Sequence, residues 1–147
     1  MEKHSKYLIH TDGGSRGNPG PAAVGVVIEK SGGGMKHAYG EFLGRATNNE
    51  AEYQAVIFAL KKLKQLAGKE EAKKATIEFH VDSELLVRQL GGQYKIMDDK
   101  IQKLFLEIWN LKLDFGEVTF KHVPREENKE ADRMVNYALD KELNKLL

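Results

Sequence analysis

The sequence predicts an α/β fold, a mixed five-stranded sheet with helices packed on it. Three observations predict it. Apolar, β-branched runs separated by glycine turns open the chain between Tyr7 and Leu43. A capping signature at Thr47 then switches the pattern from strand to helical spacing. From there strands and helices alternate, so the order reads β-β-β-α-β-α-α-β-α.

Each element has a local reason. Tyr7 to Thr11 (YLIHT) is a short strand that runs into Asp12–Gly20 (DGGSRGNPG), a dense turn signal. Ala22 to Glu29 (AAVGVVIE) is a buried strand, Ser31 to Gly34 (SGGG) a hairpin turn, and Met35 to Leu43 the returning strand. Thr47-Asn48-Asn49-Glu50 fits the capping box, in which a Thr side chain and a Glu three residues on satisfy each other's backbone N–H groups. Val56, Ala59, Leu60 and Leu63 follow at helical spacing, and Gly68 stops the helix. Lys69 to Lys74 (KEEAKK) reads as a solvated connector. Ile77, Phe79 and Val81 alternate with polar residues in a fourth strand, Thr76 to Asp82. Ser83 caps a short helix ended by Gly91-Gly92. Asp98 or Asp99 caps the next, with Ile101, Leu104, Phe105, Ile108 and Trp109 on one stripe. Val118, Phe120 and His122 alternate in the last strand, which Pro124 ends. Asn128 caps a final helix with the stripe Ala131, Val135, Ala138 and Leu139, and Met134 beside it.

A length of 147 residues suits one domain, 1-147, with its core over about 6-140. The absence of cysteine excludes disulfides, thiolate metal sites and Cys nucleophiles. Oxygen and imidazole remain as metal ligands, which favours Mg²⁺ or Mn²⁺ over zinc. The net charge of +1 neither demands nor excludes a nucleic-acid partner, because local patches decide that. The polar, basic start from Met1 to Lys6 has no apolar run behind it, and Ala22 to Ile28 is far short of the ~20 residues that span a bilayer. A cytoplasmic location is the expectation.

Four acids, Asp12, Glu52, Asp82 and Asp132, lie where strands end or helices begin beside polar turns. Asp12 and Asp82 end the first and fourth strands. If those strands are parallel neighbours, both acids emerge at the sheet edge where open α/β sheets hold ligands. Glu52 and Asp132 fall about one turn into their helices, near ends that tolerate anions. Singly, each is an ordinary turn, cap or surface acid. Together, carboxylates converging without cations would raise one another's pKa, whereas two divalent ions between them would make a phosphoryl-transfer site. The glycine-rich loop lacks the Lys-Ser/Thr of a P-loop, does not match G-x-G-x-x-G, and precedes a strand rather than a helix. Its glycines make a turn or let a polymer backbone come close.

Thr11 to Gly20 (TDGGSRGNPG), Thr47 to Glu52 (TNNEAE), Val81-Asp82-Ser83, and His122 through Asn128 to Asp132 resemble, in order, the signature blocks of type 1 ribonuclease H. The resemblance runs from about Lys6 to Leu139. It implies strand order 3-2-1-4-5 with strand 2 antiparallel. It also implies hydrolysis of the RNA strand of RNA/DNA hybrids, leaving 5′-phosphate and 3′-hydroxyl ends. Carried over by position, Asp12, Glu52, Asp82 and Asp132 are the metal ligands for two Mg²⁺ ions bound with substrate, with Mn²⁺ as a substitute. Asp12 bridges the ions, Asp132 serves the one that activates water, and Glu52 and Asp82 serve the one beside the leaving oxygen, ~4 Å away. Gly13, Gly14, Ser15, Asn18, Asn48 and Asn49 fall with the family's substrate contacts, the asparagines in the minor groove where RNA shows its 2′-hydroxyls. Arg45 and Thr47 resemble its pocket for a DNA-strand phosphate, and Asn128 is a further candidate contact.

The chain departs from the family in three places. Gly91 to Asp99 (GGQYKIMDD) is short where several members carry a basic protrusion, as in the archaeal and bacterial branch that the His-Val-Pro-Arg-Glu run resembles. Glu84 stands where many members have an amide that touches RNA. The histidine that assists product release has two candidates here, His122 by spacing and Arg125 by position in a more flexible stretch. A non-catalytic binding module is the alternative of another class, and loss of one acid would signal it; all four are present. Activity on duplex RNA is a further possibility, and a monomer is expected.

Overall fold

A computed structural model describes residues 4–145. Its elements are β1 (Lys6–Ser15), β2 (Gly20–Lys30), β3 (Lys36–Ala46), α1 (Asn48–Ala67), α2 (Lys69–Lys74), β4 (Thr76–Val81), α3 (Glu84–Leu90), α4 (Asp99–Lys112), β5 (Glu117–His122), a 3₁₀ turn (Arg125–Glu127) and α5 (Lys129–Asn144). The strands form one sheet in the order β3-β2-β1-β4-β5. β1 runs antiparallel to β2 and parallel to β4, and β4 runs parallel to β5. This is the order and strand direction that the resemblance implied.

Alternation along the strands divides the core between two faces. Tyr7, Ile9, Val26, Ile28, Ile77, Phe79 and Val81 join Val56, Leu60 and Leu63 of α1 in the larger cluster, which Ile101 and Ile108 of α4 close from outside. On the other face Ala23 packs against Val135, Ala138 and Leu139 of α5. That second helix rests almost directly on main chain. A Cβ at Gly25 would collide with the carbonyl of Ala131, and one at Gly40 with that of Met134. Glycine at these positions therefore sets how close α5 lies to the sheet.

The capping box at Thr47 forms as expected, with Glu50 N donating to Thr47 Oγ1 and Thr47 N to Glu50 Oε1, both at 3.1 Å. Ser83 and Asp98 cap α3 and α4 through their side chains.

Three expectations are corrected. β1 continues through Gly13 and Gly14 to Ser15, because the ladder with β2 extends to the pair Ser15↔Ala22. The turn proper is confined to the residues after it. Lys69–Lys74 is a helix rather than a connector, since Ala72 is buried and Glu71 reaches back to β1 and β2. Trp109 leaves the α4 stripe. It is 55% exposed, stacked on Phe105 with the Lys112 ammonium 5.7 Å from its ring. Among the described residues no helix is long and apolar enough to cross a membrane.

Candidate active site

The parallel pairing of β1 with β4 ends at Thr11↔Val81, so Asp12 and Asp82 are the next residues of adjacent strands. Their side chains leave the sheet together at its carboxyl edge. α1 supplies a third acid. A Cβ at Gly13 would overlap the backbone of Ala51 and Glu52, so glycine lets the first turns of α1 touch β1 and brings Glu52 beside Asp12. One carboxylate oxygen from each of Asp12, Glu52 and Asp82 lies within 4.8 Å of the others. Asp132, on the first turn of α5, is exposed. It lines the same cleft of about 360 Å³ and raises the Asp12 carboxyl without joining the tight triad.

The electrostatics of this edge are those of carboxylates short of partners. Burial, with Asp82 and Asp132 adding to it, pushes the Asp12 carboxyl up to about 8, against a 3.0 Å hydrogen bond from Gly13 N–H. Burial, then Asp12 and Asp82, raises Glu52 well above the ordinary carboxylate range. Burial also raises Asp82, opposed by the Asn128 amide and the Arg125 guanidinium. Glu52 Oε2 is buried with no hydrogen-bond partner. A buried acceptor left bare is costly unless something positive meets it. Hard oxygen donors at this spacing, with one of them left bare on Glu52, fit a divalent cation such as Mg²⁺ or Mn²⁺.

Around the acids, Asn48 Oδ1 accepts from Ser15 N at 2.9 Å and Ser15 Oγ at 3.1 Å, while Asn48 N donates to Asn18 Oδ1 at 2.9 Å. These bonds occupy both amide oxygens and leave both NH₂ groups as donors. Gly14 lines the cleft with Gly13 and Ser15. Thr47 is engaged in its capping box, Asn49 beside it is half-buried, and Arg45 stands exposed near the end of β3. Asn128 departs from the expected substrate contact. It is 1% exposed, and its Nδ2 donates to Thr11 O at 2.9 Å, so it ties the start of α5 to β1 and supports Asp82. It also makes no side-chain cap of α5: its Nδ2 is turned to β1, and its Oδ1, the atom a cap would use, is buried without a hydrogen-bond partner. Glu84 pairs with Arg88 at 2.7 Å on α3. Arg125 lines the cleft beside Asp82 and Asp132, whereas His122 is exposed at the end of β5 and is absent from that lining.

Two lining residues, Arg16 and Asn136, had no role in the sequence reading. For Asn136 the signal lay in α5, where Asp132, Asn136 and Asp140 recur every four residues and so share one face; nothing local marks Arg16, whose partners on that face are 120 and 124 positions away.

Residues 10–138 match the family described as Reverse transcriptase-like. The chain is 40% identical over 139 residues to Ribonuclease HI of Halobacterium salinarum, covering 95% of this chain and 67% of that protein. It is 38% identical over 136 residues to a bifunctional protein of Mycobacterium tuberculosis, of which it spans 36%. The fold superposes with a TM-score of 0.86 and 42% identity on the crystal structure of LC11-RNase H1 in complex with an RNA/DNA hybrid, covering 93% of this chain and 99% of that one. Sequence, strand order and the acidic edge agree, and the chain belongs to the type 1 ribonuclease H family.

Proposed function

We propose that the protein is an endoribonuclease that hydrolyses the RNA strand of RNA/DNA hybrids and leaves 5′-phosphate and 3′-hydroxyl ends. The observation that carries this reading is the meeting of Asp12, Glu52 and Asp82 within 4.8 Å, with a bare buried oxygen on Glu52. These three and Asp132 would hold two divalent ions, Mg²⁺ by preference and Mn²⁺ in its place. When bound, such ions acidify water and neutralise charge on the phosphate under attack.

The chain's own groups do the rest. Asp12, Glu52 and Asp82 are fixed by two strand ends and a helix start, so they need little reorganisation to bind. Asp132 faces the open side, where the scissile phosphate arrives. The NH₂ groups of Asn18 and Asn48 donate toward 2′-hydroxyls and base edges in the minor groove, with Asn49 beside them. Arg45 and Thr47 receive a phosphate of the DNA strand. Arg125, at the cleft wall, takes the product-release role in preference to His122. The protein acts as a monomer in the cytoplasm, and duplex RNA is a secondary substrate.

The test uses end-labelled RNA/DNA, RNA/RNA and DNA/DNA duplexes with Mg²⁺, Mn²⁺ or chelator. Cutting of the hybrid's RNA strand, lost in chelator, is expected. DNA/DNA stays intact, and RNA/RNA is cut more slowly than the hybrid. Cleavage that persists in chelator removes the metal mechanism. An intact hybrid in both metals removes the assignment.

A further inference from the structure

The cleft holds two basic side chains among its described lining residues, Arg125 and Arg16. Arg16 opens the turn after β1, and its backbone is fixed by a 2.8 Å hydrogen bond from its N–H to Pro21 O. Its side chain lies over α5, with Nη2 2.7 Å from Asp140 Oδ1 and 3.4 Å from Asn136 Oδ1. Among the described residues Nε and Nη1 meet no acceptor. Both partners of the ion pair are open to water, at 41% and 63% exposure. Asp132, Asn136 and Asp140 form a stripe of two turns, about 12 Å of α5, leading from the acids to this pair. Arg16, one residue past the end of β1, is four residues from Asp12, which an extended chain spans in at most about 13 Å.

We propose that Arg16 is a contact for a backbone phosphate of the bound nucleic acid, other than the one being cut, and that Asp140 parks it in the free protein. The inference rests on the nucleic-acid reading above. An exposed carboxylate pair is weak and screened by salt. A guanidinium on phosphate makes two parallel charge-assisted bonds and is stronger. Entry of a polyanion therefore draws Arg16 off Asp140, and Nε and Nη1 are the donors that remain to greet it. Asp140 is a positioning residue. It keeps the cation at the cleft wall and away from the four acids, where it would compete with the metal ions.

The experiment measures hybrid binding by fluorescence anisotropy over a range of salt, with Ca²⁺ replacing Mg²⁺ and gels confirming an intact hybrid. Arg16→Ala is expected to weaken binding about tenfold and to lower the slope of log K against log[salt] by about 1. Asp140→Asn tightens binding by about two- to fivefold, because the competing carboxylate is gone. The double variant returns to the affinity of Arg16→Ala alone. Arg16→Lys keeps the charge without the fork, so it retains the slope and loses part of the affinity. Thermal melts accompany each variant, and Arg16→Lys carries the test if Arg16→Ala does not fold. Unchanged affinity and slope in Arg16→Ala overturn the proposal, as does weaker binding in Asp140→Asn, the result of a merely structural tie. A folded wild-type protein that binds no hybrid would instead overturn the nucleic-acid reading itself.

Discussion

The two ends of β1 treat a neighbouring helix carboxylate in opposite ways. At the amino end, Glu71 of α2 accepts a hydrogen bond from the Tyr7 hydroxyl and another from Lys30 Nζ at 3.3 Å. Those donors, Tyr7 first, hold its carboxyl below the ordinary range, while burial and Glu71 push Tyr7 up to about 12. At the carboxyl end, Glu52 meets Asp12 and Asp82 instead and is pushed up, with one oxygen bare. The strand, the sheet and the helical layer are shared. The difference is that one acid is given donors and the other is given acids. The first arrangement stabilises the fold. The second destabilises it and reserves the oxygens for cations that arrive later.

The sharpest break of this contrast is Asp12→Asn. Cleavage should fall on the order of a thousandfold or more. In chelator at pH 8, urea unfolding should show the same variant more stable by about 1 kcal/mol or more, because a crowded charge is gone. A variant that loses activity and stability together would erase the distinction between the two ends. Asn128→Ala comes next. Without its bond to Thr11 O and its amide beside Asp82, metal affinity or activity should drop about 10–100-fold, read by titration of activity against Mg²⁺.

The pH dependence of stability separates the ends by sign. The Asp12 carboxyl, ordinarily near 3.8, stands at about 8 in the folded chain, and Glu52 and Asp82 are raised as well. Between those values the native state holds more protons than the unfolded one, so metal-free stability declines as pH rises from about 4 through about 8. Mg²⁺ should flatten that decline. Glu71 is lowered, so its contribution is present above the ordinary carboxylate pKa and fades as pH falls through the folded one. Urea midpoints at pH 4 to 9, with and without Mg²⁺, measure both limbs. The smallest effect is Tyr7→Phe, which should lower stability by about 1 kcal/mol and leave cleavage at saturating Mg²⁺ unchanged.

Much of this contrast is visible in the sequence at one end and hidden at the other. The four acids stand at element boundaries, and Thr47, Ser83 and Asp98 announce their caps, because capping depends on neighbours three residues away. Strand order came from the resemblance, since periodicity does not tell which strands pair. α2 was hidden because a single apolar residue, Ala72, within KEEAKK gives no stripe, and the bonds of Glu71 join residues 64 and 41 positions away. Gly13 and Gly14 read as turn, although a ladder partner in β2 keeps them extended. Asn128 read as a cap, while its amide serves a residue 117 positions back. Trp109 matched the stripe of α4 within one residue, but one residue on a helix is about 100° of rotation, enough to face water.

The glycines beneath α5 have a consequence for how the fourth acid tolerates change. At most helix–sheet contacts a swapped methyl or ring lets neighbours slide and refill the gap. Beneath Ala131 and Met134 there is only peptide against peptide, at Gly25 and Gly40. Such a seam has no bulk to trade, so its thickness is that of two main chains. Substitutions among the surrounding residues can drift without lifting Asp132, but any residue larger than hydrogen at either glycine acts as a shim under the helix.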